Sequence, residues 1–303
     1  MKKEKSQAPN NGAVSDMDEY LFDLRGYLLL EKAIDKKHVA RLNKVLDKIS
    51  SLEPPLQTNE WYGCVHAHSY GGREGTNLQQ IYEAGAPFEE LIDNPNWIEK
   101  VRHFVGGEGT FDYKHGPLFI DENFANLRGP GEAIGLHSGG HTGTKRTQFR
   151  FHNGKFHCGQ INVLMALTDI GPGDGATMVI PGSHKANFVH PQFESTRMKG
   201  AGIASSVDGV EGAIEIHMQK GDAILFVDGI SHGSAERKNA GERRIAVFRY
   251  GPSWGFFRHP YRPSQELLAR LTPARREIVF PTVQTPLRRE PNRLPDTPRE
   301  AFI

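Results

Sequence analysis

From about residue 110 onward the chain alternates short β-rich runs with glycine, proline and aspartate turns, and this rhythm limits the fold more than any other feature. The runs include Gln160-Ile161-Asn162-Val163-Leu164-Met165 and Ala176-Thr177-Met178-Val179-Ile180-Pro181. Ala223-Ile224-Leu225-Phe226-Val227 and Arg244-Ile245-Ala246-Val247-Phe248-Arg249-Tyr250 follow. Strands this short and this evenly punctuated predict a sandwich or jelly roll, not a parallel βαβ sheet. No Gly-x-Gly-x-x-Gly opens a helix and no Gly-x-x-x-x-Gly-Lys occurs, so the nucleotide-fold fingerprints are missing.

Ahead of that region the periodicity is helical. Over residues 17–50, Val39, Leu42, Val45, Leu46 and Ile49 recur at three- and four-residue steps, with Asp35 placed as an N-cap. A second helix is expected through Pro87-Phe88-Glu89-Glu90-Leu91-Ile92. A third follows Asn94-Pro95-Asn96-Trp97-Ile98 and stops near Gly106-Gly107. The expected fold is therefore mainly β with flanking α, a double-stranded β-helix (jelly roll, cupin-like) with N-terminal helices. Residues 1–15 read as a polar disordered arm, 16–258 as one domain, and 259–303 as a proline-rich extension, with five prolines in 281–303.

Composition excludes several classes. A formal net charge of +1 over 303 residues argues against nucleic acid or a membrane surface as partner, which leaves a small-molecule substrate. The basic start Met1-Lys2-Lys3-Glu4-Lys5 is not followed by the apolar run of a signal peptide, and Gly26-Tyr27-Leu28-Leu29-Leu30 is too short to span a bilayer. Two cysteines, Cys64 and Cys158, make no disulfide framework and fit a cytoplasmic protein. Histidine is the outlier with fourteen copies, and it is the commonest metal ligand. Nothing in the sequence sets the oligomeric state.

Two of those histidines carry the chemistry. One lies in Gly135-Leu136-His137-Ser138-Gly139-Gly140, the other in Asp228-Gly229-Ile230-Ser231-His232-Gly233-Ser234. Arg243 opens the strand after His232, and a hairpin would bring the two together. A 2-oxo acid chelated to Fe(II) needs a fixed partner for its distal carboxylate, and the planar fork of arginine matches one. Ser234 could add a hydroxyl. On these residues alone the plain alternative stands equally: Arg243 pairs with a surface acid and His232 caps a turn.

The upstream segment adds a resemblance. The turn Asp169-Ile170-Gly171-Pro172-Gly173-Asp174-Gly175 leads into Met178-Val179-Ile180-Pro181-Gly182-Ser183-His184-Lys185. With the His232 to Arg243 spacing, Asp23–Leu30 and Phe88–Pro95, this resembles the phytanoyl-CoA dioxygenase-like branch of the Fe(II)/2-oxoglutarate enzymes over roughly residues 20–255. The resemblance implies that His137 and His232 are iron ligands and that Arg243 binds 2-oxoglutarate. It also implies that Asn162 makes a polar contact to that co-substrate, that O2 is consumed, and that His184 is structural.

The departure is Gly139, which stands where the family writes the acid of a two-histidine, one-carboxylate triad. From Ala133 through Thr168 there is no Asp or Glu, so no shifted register restores it. Aliphatic halogenases of this group carry Gly or Ala there, and chloride takes the vacant position. The expected activity is therefore a halogenase. A hydroxylase whose third position is filled by water or a distant acid is the alternative, and a jelly-roll binding protein without redox activity is another. His152-Asn153-Gly154 is a rival first ligand, and His137 is preferred for its glycine-rich strand entry, Ala133-Ile134-Gly135-Leu136. Lys145, Arg146, Arg150 and Lys155 lie in the same acid-free stretch. They would attract an anionic, phosphorylated or nucleotide-like substrate, unless they form a solvated loop. His66 and His68 alternate like strand positions but read as surface histidines of a loop near the pocket, with a substrate role as the alternative, and Trp61, Trp97 and Trp254 read as packing residues.

Overall fold

The computed structural model describes residues 12–69, 75–106, 118–139, 145–198, 201–204, 209–252 and 261–280. Trp254, His141 and the tail 281–303 lie outside the described residues, as does the side chain of Lys145. The helices are α1 (Asp16–Arg25), α2 (Lys36–Ser50), α3 (Ala86–Glu89), α4 (Ile98–Val105), α5 (Gln265–Arg270) and α6 (Pro273–Val279).

Two antiparallel sheets form the body. The larger runs β1 (Tyr27–Leu30), β14 (Ala223–Val227), β9 (Ile161–Ala166), β16 (Arg243–Gly251), β5 (Phe119–Arg128), β4 (Thr76–Gln79), β3 (Val65–His68) and β2 (Trp61–Tyr62) in spatial order. The smaller runs β11 (Phe193–Met198), β12 (Ala201–Ala204), β6 (Ile134–His137), β15 (Ser231–Ser234), β10 (Thr177–Ile180) and β13 (Ile214–Ile216). A separate hairpin joins β7 (Phe151–His152) to β8 (Lys155–Phe156). The expected jelly-roll class is what the chain adopts, built as two open facing sheets.

Side chains on a strand alternate between faces, so register decides what each face carries. In the large sheet one face holds Ala125, Ala246, Phe248, Val163, Met165 and Leu225, all buried, and the helices pack over this sheet. The opposite face carries three cross-strand rows. Phe226, Asn162, Arg249 and Glu122 are successive partners; so are Leu164, Val247, Phe124, Gln79, His66 and Trp61; so are Ile245, Asn126, Asn77 and His68. This polar-rich face looks toward the small sheet. Among the described residues, no helix is long and apolar enough to cross a membrane.

The N-terminal helices follow local rules. Ser15 and Asp18 make a reciprocal capping box for α1, and Gly26 closes it with a left-handed φ of 81°. Asp35 caps α2 through the His38 amide, as the sequence predicts. The helical pattern over 17–50 is broken by β1, because Gly26 turns the chain and Tyr27–Leu30 pair with Phe226–Ala223 at the sheet edge. The packed body also continues past residue 258. Ser264 and Thr272 cap α5 and α6, Pro273 sits at the first turn of α6, and Leu267, Leu268, Ile278 and Val279 join the main core. Arg270 and Arg275 tie these helices to Glu89 and Asp93.

Candidate active site

The two sheets enclose a cavity of about 310 Å³. His137 and His232 reach it from neighbouring strands of the small sheet and are direct cross-strand partners. Such partners project to the same side, and the ring centroids lie 4.3 Å apart. Each ring is turned by its own strand: His137 Nδ1 lies 3.1 Å from Gly135 O and His232 Nδ1 lies 2.7 Å from Ile230 O. With Nδ1 as the donor, each Nε2 keeps its lone pair, which is the arrangement a metal-binding imidazole needs. Burial, then the neighbouring His137, pushes the His232 pKa down to about 3, so the ring is neutral at pH 7 and able to ligate.

A rival first ligand is not in place. His152 sits on the exposed hairpin of β7 and β8, where it pairs with Lys155, and it does not line the cavity. Among the described residues no group of three His, Cys, Asp or Glu side chains is placed to hold a metal. Among the described residues, the imidazoles of His137 and His232 are the two histidine side chains that line the cavity, and they could hold an iron.

Glycine at 139 has a backbone reason. Its φ is +79° and follows Ser138 at +64°, both left-handed. A Cβ at 139 would lie inside contact distance of Ser231 Oγ and 3.2 Å from Ser231 Cβ. Ser231 in turn donates to Ser138 O at 3.2 Å. The chain crosses close under the residue that precedes His232, so a side chain at 139 would need the Ser231 hydroxyl to move as well as a left-handed backbone.

Opposite the histidines the cavity floor is cationic. Arg243 is 4% exposed and donates to Ser234 Oγ at 3.0 Å, to Asn126 Oδ1 at 2.9 Å, and to Gly175 O. Arg128, from the adjacent strand, donates to the same Ser234 hydroxyl at 2.7 Å, and that hydroxyl is 2.8 Å from Gly175 O. Burial, then the like charges of Arg128 and Arg237, lowers the Arg243 pKa to about 9, still cationic at pH 7. Arg243 Nε is buried with no hydrogen-bond partner. A buried guanidinium crowded by two others and holding an unmatched donor fits a carboxylate, as the distal end of a 2-oxo acid requires.

The expected residues converge only in part. Arg243 does reach the neighbourhood of His232, but not through a hairpin: β15 and β16 lie in opposite sheets, and the chain crosses between them. Ser234 and Arg243 line the cavity. Asn162 lies on the cavity-facing side between Phe226 and Arg249. Its amide, however, donates to Asp228 Oδ1 at 3.0 Å, and Asn162 is not part of the cavity wall. The basic loop does not face the cavity either. Arg146 Nε bonds Asp228 Oδ2 at 2.9 Å and Arg150 is exposed. A glycine-to-alanine change at 229 would bring Cβ to 2.4 Å of Thr147 O, so this 3₁₀ segment (Lys145–Thr147) seats directly on the turn before His232. His184 is structural, with Nε2 3.1 Å from Asp23 O and its ring under Gly26.

Sequence reasoning missed Arg128, Asn126 and Asp228. The available signal was Asp228 closing the apolar run Ala223–Val227, and the partners of all three arrive from strands far away in sequence.

The chain is similar to known proteins in both sequence and fold. The dioxygenase cdmD of Talaromyces verruculosus is 24% identical over 271 residues, 84% of this chain and 80% of that protein. The dioxygenase trt7 of Aspergillus terreus is 37% identical over 84 residues, 28% of this chain and 24% of that protein. In fold, the chain is similar to HygX from Streptomyces hygroscopicus, solved with nickel, 2-oxoglutarate and hygromycin B. The TM-score is 0.64 at 20% identity, over 84% of this chain and 94% of HygX. It is also similar to SnoK, a non-heme alpha ketoglutarate dependent carbocyclase from nogalamycin biosynthesis, with a TM-score of 0.55 at 15% identity, over 88% and 95% of the two chains. The phytanoyl-CoA dioxygenase (PhyH) family profile matches residues 22–245, and the chain belongs to that family of Fe(II)/2-oxoglutarate-dependent oxygenases.

Proposed function

We propose that this protein uses Fe(II), 2-oxoglutarate and O2 to oxidise an unactivated carbon of a small organic molecule, and that chloride is the atom installed. Iron with 2-oxoglutarate and O2 supplies the oxidising power; the chain's own residues do the rest. His137 and His232 present two imidazoles on one side of the cavity. Arg243, with Ser234 and Asn126 holding its guanidinium in plane, fixes the distal carboxylate of the co-substrate on the other. Phe226, Leu164, Val247 and Ile245 wall the space between with apolar surface, which excludes water from the reacting carbon.

The observation that supports the halogenation reading is a pair of facing histidines that completes no three-residue metal site among the described residues, while Asp228, the acid whose charge His232 feels, is bonded to Asn162 and Arg146. The overall change would be R–H plus chloride, a proton, 2-oxoglutarate and O2 giving R–Cl, succinate, CO2 and water. Hydroxylation is the second reading, favoured by Gly139: its left-handed backbone and the adjacent Ser231 hydroxyl account for glycine without any halide. HygX binds hygromycin B, and a small-molecule substrate is proposed here too. A phosphorylated one is not, because Arg146 is committed to Asp228.

The test is product mass with iron, 2-oxoglutarate and saturating chloride, then bromide. A product heavier by chlorine, shifting to bromine, supports halogenation; a gain of one oxygen in both salts means hydroxylation. Failure of the nickel-substituted protein to bind 2-oxoglutarate under anaerobic conditions would remove both readings.

A further inference from the structure

The cavity has a second end. Its wall reaches Asn77 on β4, and the sheet continues past that strand into β3 and β2. His68 is the cross-strand partner of Asn77, His66 of Gln79, and Trp61 of His66, so all three project to the cavity side of the sheet. Val65 and Ala67, which alternate with them, are buried in the core on the other face. Neighbouring strands lie about 5 Å apart, so His68 stands one strand beyond the cavity wall.

These side chains form a shelf. The Trp61 indole stacks on His66 with centroids 4.5 Å apart, and Tyr261 meets Trp61 edge-on at 6.0 Å. Tyr261 OH lies 2.8 Å from His66 Nδ1, and the His68 ring follows 5.9 Å from that of His66. Trp61 is 52% exposed, which is uncommon for a tryptophan already ordered by a stacking partner and an edge contact.

Charge at this end is balanced. Arg249 lines the cavity but pairs with Glu122 at 2.9 Å, and Glu122 also accepts from Gln79 at 3.1 Å. Burial, then His68, holds His66 below the ordinary histidine range, so it is neutral at pH 7. Arg243 is taken by the co-substrate in the proposed function. Among the described residues of the cavity and shelf, no cation is left for a substrate anion.

We infer that Trp61, His66 and His68 form the substrate-recognition end of the cavity, and that they select an uncharged, oxygen-bearing ring. An indole face binds the C–H face of a saturated ring or the face of a planar one, and the adjacent imidazoles and phenol supply hydrogen bonds to ring hydroxyls. This rests on the Fe(II)/2-oxoglutarate reading, and the experiment separates the two.

The full-length iron protein is supplied with 2-oxoglutarate, and succinate formation is followed as probes are added. The probes are methyl glucoside, inositol and a dihydroxydecalin, with glucose 6-phosphate and inositol 1-phosphate as charged counterparts. Uncharged rings should raise succinate formation above the substrate-free rate, and the phosphate esters should not exceed them. Trp61→Leu and His68→Ala should raise the half-saturating probe concentration at least tenfold while 2-oxoglutarate binding to the nickel form stays within twofold. Stronger stimulation by the phosphate esters overturns the inference. So does half-saturation within twofold in both variants, and so does indifference to every ring in a protein that binds nickel and 2-oxoglutarate. Loss of 2-oxoglutarate binding in the wild-type protein would instead overturn the proposed function.

Discussion

Gly139→Ala is the sharpest probe of how the iron site is built. The substitution forces a side chain onto a residue with φ +79°, and its Cβ meets Ser231 Oγ and stands 3.2 Å from Ser231 Cβ. The left-handed backbone costs about 1–2 kcal/mol for a non-glycine residue. Overpacking a filled site adds about 1–3 kcal/mol. The expected loss is therefore about 2–5 kcal/mol, a fall in Tm on the order of 3–8 °C for a chain of this size. Removing the clashing group separates the two contributions. In Gly139→Ala/Ser231→Gly the overpacking disappears and the backbone cost remains, so a double-mutant cycle in urea should show about 1–3 kcal/mol of favourable coupling. Coupling below about 0.5 kcal/mol would refute the close approach of Ser231 to residue 139. The cycle also sets the background for a functional test. Gly139→Asp in the Ser231→Gly protein asks whether an acid can replace the proposed chloride; in the wild-type protein its first effect would be on folding.

Three further outcomes follow from the same geometry. Arg243→Met removes the proposed charge-assisted partner of the co-substrate and should weaken 2-oxoglutarate binding by about 2–4 kcal/mol, roughly 30- to 1000-fold, measured by anaerobic titration of the nickel protein. An affinity within threefold of wild type would show that the carboxylate binds elsewhere. Arg146→Ala removes the cationic partner of Asp228, which is 1% exposed and keeps its bond from Asn162, and should cost about 1–3 kcal/mol in urea unfolding; a variant with full stability and a raised substrate requirement would return Arg146 to substrate binding. His184 has its pKa lowered to about 4, by burial first, against 6.5 when exposed. Its stability contribution is full above pH 6.5 and lost as pH falls toward 4, on the order of 3 kcal/mol. His184→Gln should flatten that part of the pH–stability curve, and an unchanged slope would assign the acid sensitivity to other groups.

The strands after residue 110 were legible because alternation and turn residues are local signals. So was the strand that carries His137, whose glycine-rich entry differs in sequence from the two-residue hairpin strand that carries His152. The path from His232 to Arg243 was not: eleven residues suit a hairpin, and nothing in them tells that the chain changes sheets. Arg128, Asn126 and Asp228 escaped notice because each gains its role from a partner dozens of residues away. The basic loop misled for the complementary reason. Its positive charge is real, but the acid that neutralises Arg146 lies beyond the stretch that contains no acids. His66 and His68 alternated like strand residues, and the surrounding Tyr62, Gly63 and Cys64 hid a narrow edge hairpin whose tryptophan faces outward rather than into the core.

The crowding of Arg128 and Arg243 around Ser234, with the charge of Arg237 also acting on Arg243, has a practical consequence. Mutual repulsion in a dry site makes the floor of the cavity receptive to any small dicarboxylate that fits, and succinate, the spent co-substrate, is one. Turnover will slow as succinate accumulates, and citrate, malonate or phosphate in a purification buffer will compete with 2-oxoglutarate and raise Tm. The preparation that looks best behaved in a melting experiment will then be the one that turns over least, until its buffer anion is dialysed away.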